Sequence, residues 1–238
     1  PLTALLFAEV CQQAQLPPGV VNIVTGAGDT GQAIVDHPGI DKIAFTGSTG
    51  VGKMIARSIA GTRKKATLEL GGKGANIVFD DAPIDQTVEG IVRGIFFNQG
   101  HVCCAGSRLL VQETVADEVV RRLQRRLSTL RVGDPLDEQT IVGPMISKTH
   151  LAKVRHYIEL GSKEGASLLC GGLAQPDLPE RVKRGNYVLP TVFADVDNRM
   201  QIAQDEIFGP VACLIPFKDE AHAIALANDI QYGLSSYV

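Results

Sequence analysis

Phe96-Phe97-Asn98-Gln99-Gly100-His101-Val102-Cys103-Cys104-Ala105-Gly106-Ser107-Arg108 is the stretch around which the other motifs of this 238-residue chain fall into order. An apolar run with helical spacing leads into it, and Gly100 breaks that run shortly before two thiols. Where a helix end and its oriented backbone N–H groups sit beside sulfur, a thiol's pKa falls and a developing oxyanion can be held. Cys103 and Cys104 are therefore candidate nucleophiles. The competing reading makes them two small buried hydrophobes, and the residues alone leave that choice open.

Working outward toward the start, Val20–Val24, Lys42–Phe45 and Ala66–Leu70 read as strands separated by helical patterns. Strands alternating with helices predict an α/β fold with a parallel sheet and helical crossovers. Gly26-Ala27-Gly28-Asp29-Thr30-Gly31 satisfies G-x-G-x-x-G between a strand and a helix, but the acid a dinucleotide site needs on the next strand is missing. A plain Gly-rich loop explains it equally well. Gly47-Ser48-Thr49-Gly50-Val51-Gly52-Lys53-Met54 nearly matches a phosphate-binding P-loop, yet Met54 stands where magnesium requires a hydroxyl. A P-loop nucleotidase is disfavoured on that ground. Glu69 closes an apolar strand beside two glycines, which makes it either a solvated surface acid or a carboxylate raised by desolvation into a general base.

These pieces together resemble the aldehyde dehydrogenase superfamily. Aligned on Phe96, Asn98, Gly100 and Arg108, the family's Phe-x-Asn-x-Gly-Gln-x-Cys-x-x-x-x-Arg motif puts the nucleophile on Cys103, with His101 in place of the usual Gln. Phe45 to Gly52 resembles the family's Phe-Thr-Gly-Ser-Thr-x-x-Gly segment, with Gly50 where Glu is usual. By that resemblance Gly47, Ser48 and Val51 lie at the helix end that faces the dinucleotide pyrophosphate, and the turn at Gly28 falls on the same cofactor side. Leu68-Glu69-Leu70-Gly71-Gly72-Lys73 resembles the family's Glu-Leu-Gly-Gly-Lys, which implies Glu69 as general base and the Leu70 backbone near the nicotinamide amide. Asp205-Glu206-Ile207-Phe208-Gly209-Pro210 resembles Glu-x-Phe-Gly-Pro, which implies Glu206 on the nicotinamide ribose and Phe208 beside the ring.

The resemblance implies a parallel Rossmann-like sheet portion followed by a second α/β catalytic domain, with residues 1–71 from a dinucleotide-binding domain and residues 72–238 from a catalytic thiol domain. It implies NAD or NADP as cofactor, an aldehyde as substrate, oxidation to a carboxylic acid through a thiohemiacetal and a thioester, and a homodimeric or homotetrameric parent. The chain opens without Met, at Pro1 ahead of an amphipathic pattern of Leu2, Leu5, Leu6 and Val10, and is expected to be an excerpt of that parent, inactive and a poor dinucleotide binder by itself. A non-catalytic scaffold that keeps the fold for protein contacts is the alternative.

Composition narrows the field further. A net charge of -3 offers no general electrostatic case for nucleic acid or membrane. Five cysteines without regular spacing point to a reducing compartment, and a cytoplasmic location is expected. No apolar run reaches the roughly 18 residues of a membrane helix.

Downstream, Ala75–Phe79 reads as a strand and Ile84–Phe97 as a helix whose entrance is capped by Asp80, Asp81 and Asp85 rather than built as a metal site. Arg108–Gln112 reads as a strand. A helix over Thr114–Leu130 carries Arg121, Arg122, Arg125 and Arg126, with Asp117 and Glu118 four positions before the first two, and reads as a solvated ion-paired face. Leu151–Glu164 is expected to be helical. His150, His156 and His222 lack ligand spacing with any Cys, so no metal is expected.

Overall fold

The computed structural model describes every residue from Pro1 to Val238. The chain divides into two compact units, Pro1–Leu70 and Gly71–Val238.

The first unit contains α1 (Leu2–Gln13), α2 (Gly28–Asp36), β1 (Lys42–Thr46), α3 (Thr49–Ile59) and β2 (Lys65–Glu69). β1 and β2 pair in parallel, from Lys42 opposite Lys65 to Thr46 opposite Glu69. Val35, Ile43 and Ile55 form its buried core, with Ile40, Phe45, Ile59 and Leu68 packed against them. Two expectations fail here. Val20–Val24 is not a strand: Val20, Val21 and Val24 are 65%, 40% and 68% exposed, and the segment pairs with neither strand of the unit. β-branched composition favours a pleated surface only where a ladder is there to join. Gly28 is consequently the first residue of a helix that no strand precedes, so the strand–turn–helix context of the first glycine turn is absent. α1 forms over the expected residues, but Leu2, Leu5, Leu6 and Val10 are exposed and Cys11 is its single buried residue.

The second unit is built on a six-stranded sheet in the order β5-β6-β7-β4-β3-β8, where β3 is Ala75–Val78, β4 Arg108–Gln112, β5 Ser167–Cys170, β6 Thr191–Ala194, β7 Val211–Phe217 and β8 Ser236–Tyr237. All neighbours are parallel except β5 and β6. Helices cover both faces, which is why β4 and β7 are near-continuous apolar runs and not alternating ones. Leu109, Val111, Ala212 and Leu214 point into a core with α4 (Ile84–Phe96) and α5 (Ala116–Leu127). The alternate residues Leu110, Cys213, Ile215 and Phe217 point into a second core with α6 (Lys148–Lys163) and α7 (Gln201–Gln204). A last helix, α8 (Glu220–Asn228), leads toward β8.

The charges of α5 pair across helices as well as along one. Glu118 pairs with both Arg121 and Arg122, Arg122 also reaches Asp85, and Arg126 meets Glu89, so the basic stripe of α5 is matched by acids on α4. Asp117 joins none of these pairs. The acids expected at the entrance of α4 divide: Asp85 lies in its first turn, but Pro83 occupies the cap position without a side-chain bond, and Asp80 accepts from Gln112 and Thr114, both at 3.3 Å. A side chain three residues ahead of the helix is already committed to the neighbouring strand end.

Candidate active site

In the first unit, the residues expected to serve the cofactor gather where β1 and β2 end. Ser48 caps α3 by accepting the Val51 amide at 3.4 Å, the Gly47 amide donates to the Glu69 carbonyl at 3.0 Å, and the Leu70 side chain packs on Gly52. A capped helix N-terminus with free N–H groups favours an anion. Gly28 takes no part in these contacts and has open space around it. Glu69 is exposed, so the burial expected at this strand end is absent.

In the second unit, the cysteine stretch owes its shape to three successive left-handed residues. α4 ends at Phe96, and Asn98, Gln99 and Gly100 follow with φ of 48°, 55° and 73°. Asn tolerates this region and Gly accepts it freely, which accounts for the Asn-x-Gly spacing; Gln99 carries the strain between them. Gly100 is required for a second reason, because a Cβ there would overlap the Gly209 carbonyl. The chain then turns through Val102–Ala105, closed by an Ala105 amide bond to the Val102 carbonyl at 3.1 Å, with Cys103 and Cys104 at the two central positions. Both thiols are free and half-buried. No helix starts here. α4 leads toward this turn with its C-terminus, the end of a helix whose dipole favours cations rather than anions.

The turn is anchored from both sides. The Cys104 carbonyl accepts from the Tyr237 hydroxyl at 2.7 Å and from Ser235 Oγ at 3.4 Å. Cys103 packs by its carbonyl against Gly72, where no Cβ could fit, and the Gly72 amide donates to Glu206 Oε1 at 3.1 Å. Gly71 has Glu206 Oε2 in the space its own Cβ would need. The glycine pair thus brings the Cys103 backbone and the Glu206 carboxylate together. The motif arginine, Arg108, is 1% exposed and fully bonded: Nε to the Lys73 carbonyl at 3.0 Å, one terminal nitrogen to Asn198 Oδ1 and the Leu226 carbonyl, the other to the Ala227 carbonyl. Its role is to tie the start of β4 to three other segments, at Lys73, Asn198 and the end of α8. Lys73 beside it is buried with its ammonium unpaired, and that burial lowers its pKa.

Sequence reasoning missed a stripe on α6. His150, Lys153 and Tyr157 occupy one helix face at i, i+3 and i+7. They bond, in reverse order along the motif, to the Phe208 carbonyl at 2.6 Å, the Glu206 carbonyl at 2.8 Å and Asp205 Oδ2 at 3.0 Å. Burial and the bond to Asp205 push the Tyr157 hydroxyl up to about 12. His101 stacks on Phe208 with ring centroids 5.6 Å apart and planes at 15°, and meets His150 edge-on at 4.9 Å. Burial first, and the His150 charge second, lower the His101 pKa below its usual 6.5. The spacing of His150, Lys153 and Tyr157 is visible in the sequence as a helical stripe, but nothing there marks what it faces. No group of three or more His, Cys, Asp or Glu side chains is arranged to hold a metal, and no helix is long and apolar enough to cross a membrane.

The fold and these motifs define a member of a known class. The aldehyde dehydrogenase family profile matches residues 1–238, and the chain belongs to that family. It is 49% identical over 240 residues to 5-carboxymethyl-2-hydroxymuconate semialdehyde dehydrogenase of Escherichia coli, covering all of this chain and 51% of that protein. Among solved structures it resembles HpcC from Thermus thermophilus (TM-score 0.95, 46% identity, 99% of this chain and 46% of the other). It also resembles a cysteine-to-alanine mutant of aldehyde dehydrogenase C from Pseudomonas syringae, solved with NAD+ and octanal (TM-score 0.93, 42% identity, 99% and 48%). The chain spans about half the length of the curated relatives it matches.

Proposed function

We propose that the full-length protein carrying these residues is an NAD(P)-dependent aldehyde dehydrogenase that uses Cys103 as nucleophile and releases a carboxylic acid. The observation that carries this reading is the convergence at Gly72, where the backbone of the cysteine turn and the carboxylate of Glu206 meet. Family membership and the NAD+ complex of the Pseudomonas relative support the same assignment.

The residues present suit a nicotinamide dinucleotide. Glu206 keeps one carboxylate oxygen beyond the atom that accepts from Gly72, which suits a ribose hydroxyl; Phe208 is 36% exposed and offers a flat apolar surface; the α3 N-terminus at Gly47, Ser48 and Val51 suits a phosphate. Gly28 and the Leu70 backbone are assigned to the same cofactor on the family resemblance. When bound, the dinucleotide supplies a hydride acceptor.

The Cys103 thiolate adds to the aldehyde carbon and leaves a thiohemiacetal alkoxide, for which the Cys103 amide is a suitable donor, since it makes no hydrogen bond within the chain. Collapse of that alkoxide would pass the hydrogen of the former aldehyde carbon as hydride to the acceptor a bound dinucleotide supplies, leaving a thioester on Cys103. Glu69 takes a proton from water, whose oxygen attacks the thioester carbon; the carbon–sulfur bond breaks, the acid departs and the thiolate is restored. A cytoplasmic homo-oligomer is the natural setting for such an enzyme.

The test is aldehyde-dependent reduction of NAD or NADP by the full-length protein. Turnover that survives Cys104→Ala and is abolished by Cys103→Ala supports the reading; a protein inert with every aldehyde and both cofactors is the non-catalytic scaffold.

A further inference from the structure

We propose that His150 is a positioning residue for Phe208: its imidazole fixes the Phe208 backbone and, with His101, sets the plane of the phenyl ring. The inference rests on the reading above, in which that ring lies beside the nicotinamide.

Phe208 needs holding. Its φ of 60° lies in the left-handed region that a bulky side chain rarely adopts, and such residues persist only where their surroundings over-determine them. His150 supplies one constraint. A carbonyl oxygen only accepts, so the 2.6 Å contact requires the proton on Nε2 of His150 and fixes that ring's tautomer. The His150 backbone is itself fixed, because its amide donates to Ser147 Oγ at the cap of α6.

His101 supplies the other. Its ring lies nearly parallel to Phe208, and its amide is tied to the Asn98 carbonyl at 2.9 Å. His150 meets the Phe208 ring edge-on, with centroids 6.1 Å apart and planes at 78°. One face of Phe208 is thus covered by His101, its rim is limited by His150, and the remaining surface is presented in one orientation. His101, which departs from the motif's usual Gln, becomes the second wall of the clamp.

The experiment compares NAD with ADP-ribose, which keeps both phosphates and both riboses and lacks only the nicotinamide. Dissociation constants are measured in the full-length protein for the unsubstituted form, His150→Leu and His150→Gln, with thermal melting to check folding. His150→Leu removes the donor, and His150→Gln restores one. The expected result is a loss of about tenfold in NAD affinity for His150→Leu with ADP-ribose affinity held within about twofold, and recovery of most of the loss in His150→Gln. Equal losses for both ligands overturn the inference, since His150 would then touch the ribose or act only on stability. No change for either ligand overturns it as well. An unsubstituted protein that binds NAD no better than ADP-ribose, and reduces none, overturns the functional reading and this inference together.

Discussion

The amide of Gly72 donates to Glu206 Oε1 at 3.1 Å, while a Cβ on the same glycine would overlap the Cys103 carbonyl oxygen. One residue without a side chain therefore brings a thiol-bearing turn together with a carboxylate that lies 134 positions beyond that glycine in sequence. An added methyl would strike backbone on one side, and backbone yields less readily than a flexible side chain. Gly72→Ala is expected to cost about 1–3 kcal/mol of stability and to slow alkylation of Cys103 or scatter its rate. Chemical denaturation and the kinetics of iodoacetamide labelling check both; a variant with unchanged melting and unchanged labelling removes Gly72 from the account.

Arg108 is the second structural pin. Its guanidinium satisfies three backbone carbonyls and the Asn198 amide oxygen in a buried site. Arg108→Met retains much of the volume and none of the donors, leaving those acceptors without partners. A loss of about 3 kcal/mol or more is expected, measured by urea unfolding. A loss under about 1 kcal/mol shows that the buried network contributes little.

How far these features can be read in advance depends on whether their cause is local. β4 and the break at Gly100 are legible because apolar periodicity and glycine's tolerance of unusual backbone act over a few residues. Val20–Val24 misleads because a strand is defined by its partner, and this Val-rich run without a ladder stays exposed. The motif around Cys103 is legible, but its setting is not. The sequence suggests a helix end beside the sulfur, whereas the turn is held by Gly72, Ser235 and Tyr237, which come from distant segments. The α6 stripe is invisible for the same reason, since His150 gains meaning only opposite Phe208.

The imidazole of His101 gives the stability a pH dependence with a definite sign. Its pKa is lowered on folding, so the unfolded chain binds more protons in the window below 6.5. The stability from a neutral His101 is full above that value and is lost as pH falls through the lower, folded pKa. His101→Gln is expected to flatten the fall in stability between about pH 7 and pH 5. Urea midpoints across that range, compared between the two proteins, decide it; identical slopes contradict the burial argument.

The central claim is that the sulfur of Cys103 carries the acyl group. The most direct measurement is to quench the full-length protein in acid during turnover with NAD and an aldehyde, digest it, and locate the added mass by peptide fragmentation. An acyl group on Cys103, absent when NAD is left out, is the predicted result. An acyl group on Cys104, or none on either cysteine during active turnover, contradicts it.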